Sequence, residues 1–300
     1  MAQQKIELRK IRDFGENISD TFQFIRQELK PLLGCFLAFS GVFIVAYGIF
    51  NGLYQSQVWS SMFDRSAIRV DETLSSHSRL SAMRQSFGFY YLMLFIFIVL
   101  NYSAMNTCLA SYFKVYDAKG GVSPTIEEVW NQFKKYFFPV LLYSLLLALL
   151  ILVGCLFCLV PGIYLAVVLA PFNMILIVED FSFGQAFSKC FRIIKENFWV
   201  SLGIYFIAYL IYAMSGGIVG LMIGAVTGVG SYLTTKSVSH TAGIVTGILG
   251  IVTHVFYLIF FTSTALNYFS LTEQTDGDGL MKKIESMGQH NNNSSSDEQY

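Results

Sequence analysis

The chain has 300 residues, of which 54% are hydrophobic and 13% charged, and its Lys+Arg and Asp+Glu totals are 20 each, so the formal net charge is zero. Soluble domains carry roughly a quarter charged residues, and nucleic-acid-binding domains carry a basic excess. The composition therefore excludes the two soluble domains that length alone would allow, argues against a nucleic-acid partner, and points to a polytopic membrane protein.

The charge-free runs place the spans. No formal charge lies between Lys30 and Asp64, between Arg84 and Lys114, or between Lys135 and Glu179. The last of these runs has room for two spans of about 20 residues each. Two further uncharged runs follow, one to Thr235 and one to Thr272. The expected spans are residues 33–53, 89–113, 138–160, 163–178, 199–223 and 242–271. The fourth is short, and the last two are long enough to require tilt or a break.

Residues 1–30 are polar, then amphipathic. Ile18, Phe22, Ile25 and Leu29 follow helical spacing and form one apolar face. Arg26 and Lys30 flank it, and Pro31 comes next. Such a stretch is expected at the headgroup layer, apolar side down. No secretory signal is apparent before the first apolar run, so span one is expected to be a retained anchor. Residues 54–88 read as an external loop rich in Ser and Arg, too short and polar for a core of its own.

After span two, Gly120, Gly121 and Pro124 punctuate a loop. A second amphipathic stretch follows, through Ile126, Trp130, Phe133 and Phe137. Glu127 and Glu128 open it and Lys134 and Lys135 close it, an order that suits the helix dipole. Pro161-Gly162 is expected to make the tight hairpin between spans three and four. Glu179-Asp180 marks the return to water, and Phe187, Phe191, Ile194 and Phe198 form a third stripe.

The stripes correspond. Ile18, Ile126 and Phe187 open them, Phe22, Trp130 and Phe191 come next, then Ile25, Phe133 and Ile194. Arg26, Lys134 and Lys195 supply one cation each, and Leu29, Phe137 and Phe198 close. The chain thus reads as an all-α membrane domain, residues 1–272, made of three pseudo-repeats at about 15–113, 123–180 and 184–272. Each repeat is an amphipathic interfacial helix followed by a transmembrane hairpin. Residues 273–300 form a polar tail, Asn- and Ser-rich at its end and expected to be largely disordered. Lys and Arg favour the side of the termini by about three to one, which predicts cytoplasmic termini.

Candidate functional groups are few. Each even span carries an Asn near its cytoplasmic end: Asn106, Asn173 and Asn267. An amide in hydrocarbon needs a partner, so these serve either as interhelical glue or as a polar ring for a headgroup or ion. His254 joins them as the ionisable group within the last span. Arg26, Lys134 and Lys195 are candidate lipid-headgroup contacts. Gly216, Gly220 and Gly224 have GxxxG spacing, which predicts close helix approach or a break. Cys155 and Cys158 lie inside an apolar helix and are expected to pack rather than to do redox work. Glu179-Asp180, the best carboxylate pair present, reads as a solvated boundary. No P-loop, GxSxG or HExxH motif occurs, and four scattered histidines suggest no metal site. No cofactor and no catalytic set are expected. The expected partners are membrane lipids, anionic ones above all, and other membrane proteins.

The segments IELRKIRDFGENISDTFQFIRQELKPLLG, PFNMILIVEDFSFGQAFSKCFRIIKENFWVSLG and GDGLMKKIESMG resemble uncharacterised multi-pass inner-membrane proteins of the Bacteroidetes type. The pattern is also similar to the membrane domain attached to some glycerophosphodiester phosphodiesterases. The resemblance covers most of the chain except residues 54–88 and the extreme C-terminus. It implies a membrane fold and no active site, because the catalytic part of those relatives is a soluble barrel that this sequence lacks.

Overall fold

The computed structural model of the protein describes residues 5–63, 76–235, 245 and 249–277. Among these there are helices and no strand: α1 (Phe14–Phe63), α2 (Ser76–Ala118), α3 (Ile126–Phe157), α4 (Leu159–Leu169), α5 (Phe172–Val178), α6 (Phe183–Ile194) and α7 (Phe198–Thr235). A 3-10 helix (Gly250–Phe256) and α8 (Tyr257–Asp276) complete the chain order. Six segments are long and apolar enough to cross a membrane, the fourth formed jointly by α4 and α5 and the sixth by the end of the 3-10 helix with α8. The molecule is a multi-pass membrane protein. Its N-terminal segment and the end of α8 share one side, called here the near side.

Several boundaries differ from the sequence expectation. Helices α1 and α2 run into the expected 54–88 loop, whose middle lies outside the described residues. The tail from 278 and the 242–244 start of the expected last span lie outside them too. Residues 273–276, expected in the tail, are the last turn of α8. The first two amphipathic stretches continue into their spans through Pro31 and Pro139. The third is the separate helix α6. The hairpin between spans three and four breaks at Cys158, which is extended (φ −169°, ψ 146°), and not at Pro161-Gly162. Pro161 sits in the first turn of α4, where its missing N–H costs nothing because that donor has no helical acceptor. Gly162 is where the two helices touch: a Cβ there would lie 2.8 Å from the Cys155 backbone nitrogen.

All three stretches begin with a side-chain cap, which satisfies backbone N–H groups that have no acceptor inside the helix. Asp13 accepts from the Glu16 N–H at 2.7 Å. Thr125 and Glu128 form a capping box, as do Ser182 and Gln185. In the register of the three stripes, Asp13 and Ser182 are equivalent and Thr125 comes one turn later. Burial follows the same register. Thr21, Val129 and Cys190 are buried, and so are Leu32, Val140 and Ser201.

The stretches lean on neighbouring repeats. Trp130 and Phe133 stack on Phe39 of α1, with centroids 5.3 and 5.4 Å apart. Phe183 packs on Tyr143 of α3, and Phe198 on Tyr164 of α4. The Phe14 ring lies 3.2 Å from where a Cβ on Gly203 of α7 would stand. Each stretch thus meets a span of the preceding repeat, the first meeting the last. Phe22, by contrast, is exposed, whereas Trp130 and Phe191 have ring partners.

The even spans form the centre. In the most apolar window of each span, 78% of α8 is buried but only 11% of α3 and 6% of α7. Hydrocarbon-facing residues need no protein cover, so the third and fifth spans sit outside and the last, the least apolar of the six, sits inside.

Candidate functional site

The near side is a belt of paired charge. Arg9 pairs with Asp117 at 2.8 Å, Lys114 and Lys135 both reach Asp180, and Lys189 bridges Glu179 (2.8 Å) and Asp276 (2.6 Å). Glu179 also accepts from the Tyr268 hydroxyl at 2.6 Å. The expected solvated carboxylate boundary is therefore a structural joint. Burial works against the Asp180 charge, but hydrogen bonds and charge from Lys114 and Lys135 outweigh it and hold its carboxyl below its ordinary value. Asp180 takes a left-handed φ of 55° to reach them, in a region Asp tolerates better than most residues.

The N-terminal segment supplies charged groups that the hydrophobic stripe does not reveal. The Arg12 side chain is fully buried and pairs with Asp20 at 2.8 Å. It also donates to the carbonyls of Leu8, Lys10 and Glu7. The Arg12 backbone N–H donates to Ser270 of α8 at 2.8 Å, and Ser263 of α8 donates to Asn17 at 3.0 Å. Glu28, also buried, accepts from Tyr112 (2.7 Å) and Ser123 (2.6 Å). Asn17, Thr21, Phe24 and Glu28 share helical spacing and face the protein. The Ile18–Leu29 stripe faces outward, with Phe22 and Leu29 exposed. The signal was present as a second period on α1, hidden because its residues are polar.

The three candidate headgroup cations differ from this belt. Arg26, Lys134 and Lys195 are exposed, and none pairs with a carboxylate among the described residues. Lys134 lies 5.5 Å from the centroid of exposed Trp130. Lys195 stands one turn before Trp199, which is 79% exposed.

The structure does not join the asparagines. Asn267 donates to Ser201 (3.1 Å) and Tyr205 (2.9 Å) of α7. Asn106 donates to its own helix at Tyr102 and accepts from Tyr257 at 3.1 Å. The Asn173 carbonyl oxygen is buried without a protein donor. No hydrogen bond links any two of the three. His254 is buried, with Tyr47 edge-on at 5.3 Å. It lines a cavity of about 630 Å³, and Asn106 lines a different one of about 250 Å³. Asn101, fully buried in α2, has no protein partner for either side-chain atom. Sequence inspection passed over it for Asn106.

In the expected GxxxG run Gly216 meets the 3-10 helix, where a Cβ would stand 3.7 Å from the Thr253 Cβ, but the glycines after it make no close helix approach among the described residues. Around Gly217, Gly220, Gly224 and Gly228 a Cβ would meet nothing within 4 Å. Cys155 and Cys158 are exposed and not packed in a core. Cys190 is buried, which pushes its thiol up to about 12 and keeps it uncharged and unreactive. No cluster able to hold a metal occurs among the described residues.

These features define an all-α, multi-pass membrane protein with a charge-paired near side and a cavity between helices. Searches against protein-family models, curated proteins and solved structures find no match to the chain.

Proposed function

We propose that the protein is non-enzymatic and organises the inner leaflet of the cell inner membrane, its termini cytoplasmic, by holding anionic lipid at three points. The observation that carries this is the contrast among near-side cations. Lys114, Lys135, Lys189, Arg9, Arg12 and Arg192 are committed to carboxylates. Arg26, Lys134 and Lys195 stay exposed, beside exposed apolar side chains such as Phe22, Trp130 and Trp199. A cation next to an apolar surface at the headgroup layer suits an anionic lipid, whose acyl region covers the ring while its phosphate meets the charge. Such a surface also serves a scaffold that gathers other membrane proteins around bound lipid. A second reading, a transporter or channel subunit, draws on the two cavities that Asn106 and His254 line.

The test is native mass spectrometry of gently solubilised protein offered phosphatidylglycerol or phosphatidylcholine with the same acyl chains. Wild type should retain phosphatidylglycerol in several-fold preference. The combined Arg26→Gln, Lys134→Gln and Lys195→Gln variant should lose the preference and keep its thermal stability, because none of the three side chains forms an ion pair among the described residues. An unchanged preference would remove the lipid reading. Solute flux in proteoliposomes would support the second.

A further inference from the structure

The larger cavity lies away from the charge belt. It is walled by α1 through Tyr47, Asn51 and Gln55, by α7 through Gly220 and Gly224, and by the 3-10 helix through His254. Asn51 and Gln55 fall at the end of the first crossing segment and His254 at the start of the last, so the cavity sits in the far half of the bundle. Three observations bear on its occupant.

The opening faces hydrocarbon. Leu221 lines the cavity and is 76% exposed, on the helix whose apolar window is the least buried of all six. What enters therefore comes from the bilayer. Next, the glycines make the space. A Cβ at Gly220 or Gly224 would meet nothing within 4 Å, so these residues leave a trough that a larger side chain would fill without a clash. Finally, the wall carries hydrogen-bonding groups at the far ends of the crossing segments, level with the head region of a far-leaflet lipid. Asn51 and Gln55 make no side-chain hydrogen bond among the described residues, and the wall also includes half-buried Thr253 and buried His254. Polar groups facing hydrocarbon need a partner. A volume of about 630 Å³ falls in the range of sites that enclose a small molecule.

We propose that this cavity binds the head of an uncharged glyceride from the far leaflet, with diacylglycerol as the fitting chemistry. The hydroxyl and ester oxygens of the glyceride bond to Asn51, Gln55 and His254, and one acyl chain lies along the Gly220–Gly224 trough. The choice of an uncharged head follows from the wall, whose described residues include no Lys, Arg, Asp or Glu. A phosphate drawn in would leave its charge without a counter-ion. This site is independent of the near-side cations, and either proposal can fail alone.

The experiment offers the full-length protein in detergent dioleoylglycerol or dioleoyl phosphatidic acid, which differ in the hydroxyl or phosphate at one carbon, and counts bound lipid by native mass spectrometry. Wild type should bind dioleoylglycerol. Gly224→Leu should reduce that binding about tenfold, a change of 1.4 kcal/mol. Gly217→Leu, on the same helix and equally free of neighbours, should bind as wild type does and controls for folding. Asn51→Leu with Gln55→Leu should lose binding while leaving the trough open. Equal dioleoylglycerol binding by wild type and Gly224→Leu would overturn the site. Phosphatidic acid binding as well as dioleoylglycerol would overturn the uncharged head.

Discussion

The two halves of the bundle are built on different principles. On the near side every inner helix ends in a carboxylate with a cation on it: Asp117 in the last turn of α2, Asp180 just after α5 and Asp276 at the end of α8. Aromatic stacks and helix caps reinforce those ends. In the far half Gly220 and Gly224 of α7 face open space and α1 presents the amides of Asn51 and Gln55, which have no hydrogen bond among the described residues. The contrast shows where the fold is held: the ends that meet charged headgroups are fastened, and the opposite ends leave room between helices.

The largest test of this contrast is Arg12. Its guanidinium is fully buried among Asp20 and three carbonyls. Removing the guanidinium takes the donor from three carbonyls and from Asp20, whose side chain is 20% exposed, at about 1–3 kcal/mol for each buried acceptor left unsatisfied. Arg12→Met should therefore lower the thermal midpoint in detergent more than any single change in the far-half cavity wall. A midpoint equal to wild type would break the contrast.

Gly162 sharpens it from the other direction, because the α3–α4 hairpin is one tight point away from the near side. A Cβ there would overlap the Cys155 sulfur and lie 2.8–2.9 Å from its backbone. Overpacking of that kind costs about 1–3 kcal/mol. Gly162→Ala should show this as a lowered unfolding midpoint, while Gly220→Ala, with open space around it, should show no such loss.

Much of this plan was legible. Charge-free runs placed the spans because hydrocarbon tolerates few charges, and the stripe register located the three amphipathic stretches, though not the caps that begin them. What escaped notice was polar. Arg12, Asn17 and Glu28 look like surface residues by type, yet the loop 5–13 and α1 fold them onto α2 and α8, where hydrogen bonds replace water. The Gly220–Gly224 spacing predicted close packing because spacing alone does not say whether a helix stands on the other side. Pro161-Gly162 looked like the turn because both residues break helices, but a proline within the first helical turn breaks nothing. The asparagines were found, but their partners were not, since a hydrogen bond between distant helices leaves no local trace.

Asn267 measures what one such bond contributes within the near half. It is buried and donates to Ser201 and Tyr205. Interhelical hydrogen bonds of this type contribute about 1 kcal/mol or less. Asn267→Leu should lower the midpoint by that much, well short of Arg12→Met. A loss as large would mean that amides, not ion pairs, fasten the inner helices.

The pH dependence of Asp180 is smaller still, because half its side chain is exposed and solvent screens the pairs. Its folded-state carboxyl titrates below the ordinary 3.8. The stabilisation from Lys114 and Lys135 is therefore full above that value and is lost as pH falls through the folded one. Asp180→Asn should flatten the stability curve in that acid window, by at most about 1 kcal/mol. Unchanged acid sensitivity in the variant would mean that Asp180 is not its source.

Gly217 gives the smallest effect, and its sign is the informative part. It lies on the outer surface of α7, exposed, with nothing within 4 Å of where a Cβ would stand. If the α7 glycines served helix contact, Gly217→Ala would destabilise. If they merely leave space, alanine removes backbone freedom from the unfolded chain and stabilises the helix by about 0.5–1 kcal/mol. A raised unfolding midpoint for Gly217→Ala is expected. A lowered one would mean that α7 packs against a further helix, from this chain or another copy, on the very face taken here to border lipid.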